Sequence, residues 1–260
     1  MEWRLGVVGS PVAHSLSPRL HEAGLARAGL RGHSRAREVS PEEAHDLRDL
    51  VVREFDAVAV TAPLKGRALA ACDEVSDVAR RTSSVNGIVV REGRLVGDST
   101  DGDGFRDALA ATFGDVIADA HAVVLGAGGA ARAIVDALVE GGAASVSVVA
   151  RRPGPAALLA ERYPRVHPGA LVYRPVGVVV NTVPAPARGP EGAVLQGTTT
   201  DTVAVDLAYE PRETPWLARY RTAGCRTQNG LAMLCYTAAR LMSGWWDVAL
   251  DGAELLEVVR

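Results

Sequence analysis

Short apolar runs and helical periods alternate along the first half of the chain. The apolar run at residues 5–9 predicts a strand that ends in a glycine turn. A helix is predicted next, with Ser17 as its cap and Pro18 in its first turn. A second apolar run, at 55–60, predicts another strand. Strand, helix, strand in this order is typical of a parallel sheet joined by crossover helices.

The rest of the first hundred residues continues this α/β pattern. A capping-box-like start at Ser40 to Glu43 predicts a second helix. A third helix is expected at 68–80, then a strand at 84–90 and a hairpin at 91–97.

An apolar strand, a glycine-rich turn and an alanine-rich helix through Leu138 mark the second half. This order is typical of a dinucleotide-binding fold. Its turn contains the small residues Gly126, Ala127, Gly128, Gly129, Ala130 and Ala131. Further strands are predicted at 145–150, 177–182 and 202–209, the last two separated by a loop rich in proline and glycine. Helices are predicted at 215–222 and from 230 onward.

The end of the strand at 145–150 indicates which dinucleotide is bound. An acidic residue at this place would bind a ribose 2'-hydroxyl. The chain instead has Arg151 and Arg152, which suit a 2'-phosphate. The cofactor is therefore expected to be NADP in preference to NAD.

Composition narrows the class of partner. The 260 residues are 48% hydrophobic and 23% charged, with a formal net charge of -3, so no basic field for nucleic acid is expected. No apolar stretch approaches the ~20 residues of a membrane span. The three cysteines show no C-x-x-C spacing, which favours a reducing compartment and argues against a metal site. We expect a soluble, cytoplasmic protein with a small-molecule partner.

Lys65 is the only lysine in the sequence, and every other basic side chain apart from histidine is arginine. An ammonium group can lose its proton near neutral pH when it is buried or crowded, whereas a guanidinium group cannot. Lys65 closes an apolar run and a Thr-Ala-Pro turn, where chemistry is often found. We interpret it as an acid/base group. The alternative is a stray lysine left by base composition.

Two serines before the first helix are candidates for anion binding. Ser15 and Ser17 lie on a loop at a helix N-terminus, a favourable place for a carboxylate. Plain helix capping is the alternative; it accounts for Ser17 but not for Ser15.

Scarce asparagines and an acidic turn complete the candidate residues. Asn86, Asn181 and Asn229 are the only asparagines, and each follows or ends an apolar run, where ligands bind in open sheets. A turn asparagine with positive φ is the alternative for each. The turn at 98–104 contains Asp101, either a carboxylate that works beside Lys65 or a helix cap. A calcium loop would need a longer pattern ending in glutamate.

Together these motifs resemble the shikimate dehydrogenase family along nearly the whole chain. The resemblance rests on Gly9 to Pro18, Val60 to Lys65, Val85-Asn86, Ser99 to Gly102, Gly126 to Ala131, Arg151, Tyr209, and Gly230 with Met233-Leu234. Such a resemblance implies an N-terminal α/β substrate domain at 1–102, a doubly wound Rossmann-type NADP domain at 103–228, and C-terminal helices at 229–260 that return to the substrate domain. It also implies a cleft between the two domains.

The resemblance further implies NADP-dependent, reversible reduction of 3-dehydroshikimate to shikimate, by a monomer or homodimer. Lys65 would exchange the proton of the C3 oxygen, and Asp101 would orient the same hydroxyl. The implied substrate-binding residues are Ser15, Ser17, Thr61, Asn86, Tyr209 and Thr237. The implied cofactor-binding residues are Gly126 to Ala131, Arg151, Arg152, Thr182, Gly230 and Met233; no metal is implied.

Four positions depart from the family pattern. Thr237 stands in place of a glutamine, Gly87 in place of a threonine, and Ser99 and Ala150 in place of asparagines. The first three are expected near the polyol side of the substrate. Shikimate is favoured as the substrate; quinate or an aminoshikimate is the alternative. A third possibility is a catalytically silent sensor, against which the single lysine argues.

Overall fold

The computed structural model describes residues 2–169, 175–183 and 196–260. The chain divides into two compact units, residues 1–104 with 234–260, and residues 105–233. The chain therefore passes between the units within two helices, at 104/105 and 233/234. Part of the loop rich in proline and glycine, expected between 183 and 201, lies outside the described residues.

The first unit is built on a mixed sheet. Its strand order among the described residues is β2-β1-β3-β5-β6-β4, with β1, β2 and β3 parallel and β5 antiparallel to both β3 and β6. The strands are β1 (Glu2–Gly9), β2 (Arg31–Glu38), β3 (Ala57–Val60), β4 (Glu74–Val75), β5 (Gly87–Arg91) and β6 (Arg94–Asp98). The apolar side chains of β3 and β5 lie in the core of this unit.

Helices flank this sheet. They are α1 (Ser17–Arg27), α2 (Leu47–Glu54), α3 (Lys65–Ala71), α4 (Asp77–Thr82), the first turn of α5 (Asp101–Phe113), most of α9 (Gly230–Trp246), and α10 (Gly252–Val259). The expected capping box is formed: Ser40 N donates to Glu43 Oε2 at 3.0 Å, and Glu43 N donates to Ser40 Oγ at 3.2 Å. It starts a short 3-10 helix, Glu43–Asp46, which leads into α2.

Two features of the first unit differ from the sequence predictions. The single helix expected at 68–80 is two helices, α3 and α4, with β4 between them, because Asp73 pairs with β6: its carboxylate accepts from Leu95 N at 2.8 Å. The pattern also gave no sign of β2. This strand lies at the edge of the described sheet, pairs with β1 and carries many charged side chains, so it lacks an apolar alternation.

A buried histidine lies between β2 and α9. His21 on α1 is 1% exposed; its Nδ1 is 2.8 Å from Ser34 Oγ, and its ring meets Trp245 edge-on at 5.5 Å. Burial lowers the pKa of His21 to about 4, because an imidazolium would lose its hydration there.

The second unit has the doubly wound architecture expected from the sequence. Its sheet is parallel throughout the described strands, in the order β12-β11-β10-β7-β8-β9. The strands are β7 (His121–Leu125), β8 (Ser145–Val149), β9 (Val166–Pro168), β10 (Val176–Asn181), β11 (Thr198–Asp206) and β12 (Arg226–Asn229). The helices wholly within it are α6 (Gly129–Glu140), α7 (Pro153–Arg162) and α8 (Pro215–Thr222). The strand order reverses between β7 and β10, the usual place for a ligand in such sheets.

No helix within the described ranges is both long and apolar enough to cross a membrane.

Candidate active site

Lys65 and Asp101 form an ion pair in the first unit. Lys65 is the first residue of α3 and Asp101 the first residue of α5, and Lys65 Nζ donates a hydrogen bond to Asp101 Oδ2. The side chains are only 15% and 7% exposed. Burial of either charge alone would be costly, so each charge makes the burial of the other possible. The structure thus brings together the two residues expected to act as a pair.

Asn86 holds the other oxygen of the same carboxylate. Its Nδ2 donates to Asp101 Oδ1 at 2.9 Å and to Thr100 Oγ1 at 3.3 Å, and its Oδ1 accepts from Thr100 N at 2.9 Å. The backbone amide of Thr100 can only donate, so it fixes which end of the Asn86 side chain faces Asp101. Both amide hydrogens of Asn86 are therefore engaged, while its oxygen can still accept a bond.

None of the three asparagines has the positive φ considered as an alternative explanation. Asn181 ends β10 and Asn229 ends β12. The side chain of Asn229 donates to Arg212 O at 2.8 Å and accepts from Leu231 N at 3.1 Å. All three asparagines form side-chain hydrogen bonds, which an asparagine that only serves to form a turn would not need.

The turn before Lys65 follows directly from β3. Thr61 N donates to Val8 O at 2.9 Å, and Leu64 N donates back to Thr61 O at 3.0 Å, which places Lys65 at the start of α3. Gly9, at the end of β1, lies against this turn, and a Cβ atom there would collide with Cγ2 of Thr61. Thr61 is thereby held at the end of β3, in the turn that leads to Lys65.

The serine pair lies at the start of α1, but not in the expected capping arrangement. Ser17 is the first helical residue and is buried, and no side chain caps the helix at Leu16. Instead Ser15 Oγ accepts from Ser17 N at 3.2 Å, and the two hydroxyls are 3.1 Å apart with Ser15 donating. The prediction that Ser17 caps the helix is wrong. Ser15 takes up a free N–H group of the first turn, and the two hydroxyls lie side by side.

Thr237 lies on α9 next to the Asp101 turn. Its carbonyl oxygen accepts from Thr100 Oγ1 at 3.3 Å. Its own hydroxyl is buried against Gly104 of α5 and has no hydrogen-bond partner among the described residues. The helix therefore brings this position close to Asp101, but the short side chain is directed at α5.

Packing accounts for two of the other departures from the family pattern. The Leu241 side chain occupies the space beside Gly87, and a Cβ atom at 87 would collide with Leu241 Cδ2. Ser99 is 2% exposed and accepts from Thr82 Oγ1 at 3.5 Å, within a cluster of buried hydroxyls. The Ser99 hydroxyl thus meets another buried hydroxyl, and its place near the substrate stays a prediction.

The glycine turn of the second unit has the form that a dinucleotide phosphate requires. Gly126 has φ +110°, which only glycine adopts readily, and its added Cβ atom would collide with Thr182 Oγ1. Helix α6 begins after Gly128 with no side-chain cap, so its first N–H groups are available to an anion. A Cβ atom at Gly128 would meet nothing within 4 Å. Ala131 is fully buried and lets α6 pack closely on the sheet.

The second unit also has a suitable place for a 2'-phosphate. Arg151 and Arg152 follow β8, the strand beside the glycine turn, after the single residue Ala150, and both are exposed. Ala127, in the glycine turn, and Ala130, in the first turn of α6, are partly exposed. The chain thus places two guanidinium groups, rather than a carboxylate, after this strand.

The remaining expected contacts lie at the other strand ends of the second unit. Tyr209 is partly buried in the segment after β11. Gly230 N donates to Ala208 O at 3.1 Å, and Gly230 is packed so tightly on Leu207 that no side chain would fit. Met233 is partly buried against the core of this unit.

Thr100 was missed by the sequence analysis, although the structure makes it the link between Asn86 and α9. The only signal was its position directly before Asp101 in a turn rich in hydroxyl and carboxyl groups. Among the described residues, no group of three or more histidine, cysteine or acidic side chains could hold a metal ion.

Comparison with known proteins confirms the resemblance. A family model described as the shikimate dehydrogenase substrate binding domain matches residues 7–88. The shikimate dehydrogenase (NADP(+)) of Rhodospirillum rubrum is 39% identical over 259 residues, which cover 94% of this chain and 92% of that protein. A protein of the same name from Thermus thermophilus is 37% identical over 99% of this chain and 97% of its own length.

Solved structures agree with the sequence comparison. The crystal structure of shikimate 5-dehydrogenase from Thermus thermophilus, in complex with NADP(H) and shikimate, superposes with a TM-score of 0.89 at 36% identity. The match covers 99% of this chain and 98% of that one, so it includes both compact units.

Proposed function

Since the chain belongs to the shikimate dehydrogenase family, we propose that it catalyses the reversible, NADP-dependent reduction of 3-dehydroshikimate to shikimate. The observation that carries this proposal is the buried ion pair of Lys65 and Asp101, with Asn86 on the second carboxylate oxygen. The only lysine of the chain lies in this pair.

Lys65 acts as the proton donor in the direction of reduction. NADPH, when bound, supplies the hydride that adds to C3 of the substrate. As the C3 carbonyl becomes an alcohol, its oxygen takes a proton from the Lys65 ammonium group. Asp101 holds the ammonium in place before this step and stays paired with the amine after it. In the reverse direction the neutral amine accepts the hydroxyl proton.

The substrate carboxylate is bound by Ser15 and Ser17. Their hydroxyls lie 3.1 Å apart at the start of α1, where the helix dipole favours an anion. Thr61 and the free acceptor site on Asn86 Oδ1 are suited to ring hydroxyls. Tyr209 and Thr237 are the further substrate contacts that we propose.

The cofactor is held by the second unit. The first N–H groups of α6 bind the diphosphate, with Gly126 to Ala131 allowing the close approach, and Arg151 and Arg152 bind the 2'-phosphate. Thr182, Gly230 and Met233 complete the proposed contacts. Residues 1–104 with 234–260 accordingly form the substrate-binding unit, and residues 105–233 form the NADP-binding unit.

Quinate or an aminoshikimate is a second candidate substrate. Thr237 is shorter than the glutamine of the family pattern, and the space beside Gly87 is taken by Leu241. These changes alter the surroundings of the Asp101 turn and leave the Lys65 pair and the serine pair intact. A binding protein without turnover would not need the lysine.

One assay decides among these functions. Purified protein is incubated with NADP and, in turn, shikimate, quinate and an aminoshikimate, and reduced nicotinamide is followed by absorbance. The highest kcat/KM is expected with shikimate. A higher value with quinate or the amine would identify the second candidate. Binding of NADP and shikimate by calorimetry, without turnover of any of the acids, would contradict the enzyme assignment.

We further propose that the chain acts in the cytoplasm as a monomer or homodimer. The three cysteines are free thiols, as expected in a reducing compartment, and two of them are buried. Burial raises the pKa of the Cys72 thiol to about 11 and that of the Cys235 thiol to about 12, so neither is a reactive thiolate. Light scattering of the purified chain gives its oligomeric state.

A further inference from the structure

Asp206, at the end of β11 in the second unit, is a fully buried carboxylate outside the residues assigned so far. Its Oδ1 accepts from Ala208 N at 3.2 Å and from Asn181 Nδ2 at 3.3 Å, and its Oδ2 accepts from Thr214 Oγ1 at 2.6 Å. A carboxylate at this depth is tolerated only because hydrogen bonds replace its lost hydration.

Asn181 extends this network to the loop that follows β10. Its Oδ1 accepts from Val183 N at 3.1 Å, and its backbone oxygen accepts from Leu207 N at 3.0 Å. The backbone donor at Val183 fixes the amide orientation, so that the Asn181 nitrogen faces Asp206. Val183, in the described part of the chain after β10, is thus attached to the carboxylate through the Asn181 side chain.

Thr182 lies between Asn181 and Val183, the two residues that are linked in this way. Its backbone N and its hydroxyl both donate to Leu125 O, at 2.9 and 2.7 Å. Its Oγ1 fills the space beside Gly126. The position of Thr182 at the glycine turn therefore depends on how Asn181 and Val183 are held.

The same carboxylate fixes both ends of the segment at 207–214. Ala208 N bonds to Oδ1, and Thr214, which is 1% exposed, bonds to Oδ2 while it caps α8 by accepting from Leu217 N at 3.2 Å. The segment carries Tyr209, and Ala208 O accepts from Gly230 N. The three residues that donate to Asp206 are Asn181, at the end of β10, and Ala208 and Thr214, in the chain that follows β11. A nucleotide binds at these strand ends in this fold.

We propose that Asp206 is a positioning residue for cofactor binding: through Asn181 it holds Thr182 against the glycine turn, and through Ala208 and Thr214 it holds the segment that carries Tyr209. It does not touch the reacting atoms. The inference rests on the proposed function, because it takes the glycine turn as the NADP site.

Asn181→Asp in the full-length chain tests this role. It sets a second carboxylate against Asp206 Oδ1 and removes the donor, while Val183 N keeps its acceptor. The Kd for NADP, measured by calorimetry, should rise about tenfold, the equivalent of one lost buried hydrogen bond. KM for NADP should rise in parallel, with kcat changed by less than about threefold.

Asp206→Asn should raise the Kd for NADP less than Asn181→Asp does, and it should partly restore binding when combined with Asn181→Asp. Its amide nitrogen can donate to the Thr214 hydroxyl, which is able to accept, so a rise in Kd of about threefold is expected. When both substitutions are combined, Ala208 N keeps the amide oxygen of position 206 as its acceptor, and a neutral amide in place of a second carboxylate faces the new carboxylate at position 181, so the charge repulsion is removed. The double variant should therefore bind NADP more tightly than Asn181→Asp alone.

Asp136→Asn is the matched control. Asp136 is another buried carboxylate of the same unit, and it accepts from the Tyr163 hydroxyl at 2.7 Å. This variant should lower the Tm with the Kd for NADP unchanged. If Asn181→Asp does not fold, the comparison of Asp206→Asn with Asp136→Asn decides.

The inference is overturned if the variants at 181 and 206 lower the Tm but leave the Kd for NADP within about twofold of wild type. Failure of the double variant to bind more tightly than Asn181→Asp overturns it as well. A wild-type chain that binds NADP without oxidising shikimate would contradict the proposed function alone, because the NADP affinities still test Asp206.

Discussion

The amide nitrogen of Asn86 donates a 2.9 Å hydrogen bond to Oδ1 of Asp101, the carboxylate whose other oxygen binds Lys65. Thr100 N fixes the orientation of that amide. Asn86 therefore acts on the pair of Lys65 and Asp101 that is proposed to be catalytic, in addition to the substrate contact proposed for it.

Asn86→Asp should lower kcat as well as raise KM. The substitution keeps the acceptor for Thr100 N but turns an oxygen toward Asp101, which is then repelled from its place beside Lys65. We expect kcat to fall about tenfold or more. Steady-state kinetics with shikimate measure both constants. A rise in KM with kcat unchanged would show that Asn86 serves only to bind the substrate.

Lys65→Arg should lower turnover by about 10²-fold or more, with the Kd for shikimate changed little. Arginine keeps the charge beside Asp101 but does not release its proton at working pH. Arg67→Lys, the opposite exchange at an exposed position two residues away, should have no effect on turnover. A Lys65→Arg enzyme with a rate near wild type would refute the proton transfer.

Arg151→Ala should raise KM for NADP far more than KM for NAD. The guanidinium group is proposed to bind the 2'-phosphate, which NAD lacks. Arg221→Ala removes another exposed arginine of the second unit, which is paired with Glu213, and should change neither constant. An equal effect of Arg151→Ala on both cofactors would argue against the 2'-phosphate assignment.

Gly87→Thr, which restores the family residue, should destabilise the protein by about 1–3 kcal/mol because the new side chain overlaps Leu241. Leu241→Ala alone should cost about 2–5 kcal/mol through the cavity it leaves. The double variant should lose less than the sum of the two, as measured by denaturant unfolding. Additive losses would mean that the two positions do not share this space.

His21 should make the free energy of unfolding depend on pH. Its pKa in the folded chain is about 4, below its ordinary value of 6.5, so between these values the unfolded chain binds a proton that the folded chain does not. The stabilisation is complete above about pH 6.5 and is lost progressively down to about pH 4. At about 1.4 kcal/mol per pH unit the total is about 3 kcal/mol.

The pH effect is measured as a difference between wild type and His21→Phe, which keeps a ring against Trp245. Urea unfolding at about pH 7 and about pH 4.5 should show a steeper loss for wild type, by about 2 to 3 kcal/mol. Equal losses in the two proteins would show that His21 is not the group responsible.

The sequence predicted the parts of this protein that local rules determine. The glycine turn, the unusual lysine and the capping box at Ser40 each follow from one residue type in one local setting. The strand β2 and the break between α3 and α4 could not be predicted in this way. Both depend on pairing partners far along the chain, β1 for the strand and Leu95 for Asp73.

The direction in which a side chain points could not be predicted from the sequence either. Nothing in the local pattern shows that the Ser99 hydroxyl meets Thr82. Likewise, nothing in the local pattern shows that Leu241 fills the space beside Gly87. Which neighbour a side chain meets across a core depends on the packing of several elements, and a linear pattern carries little of that information.

A chain with a single lysine contains one side-chain amine, and here that amine is only 15% exposed and tied to a carboxylate. Acylating reagents that select for amines would thus modify the amino terminus and, more slowly, Lys65. Mass spectrometry of the Lys65 peptide over time would then report directly on how often the Asp101 pair opens, and a bound substrate acid should slow the modification. Because lysine is so scarce, acylation of this enzyme reports on the Lys65 site without any engineered label.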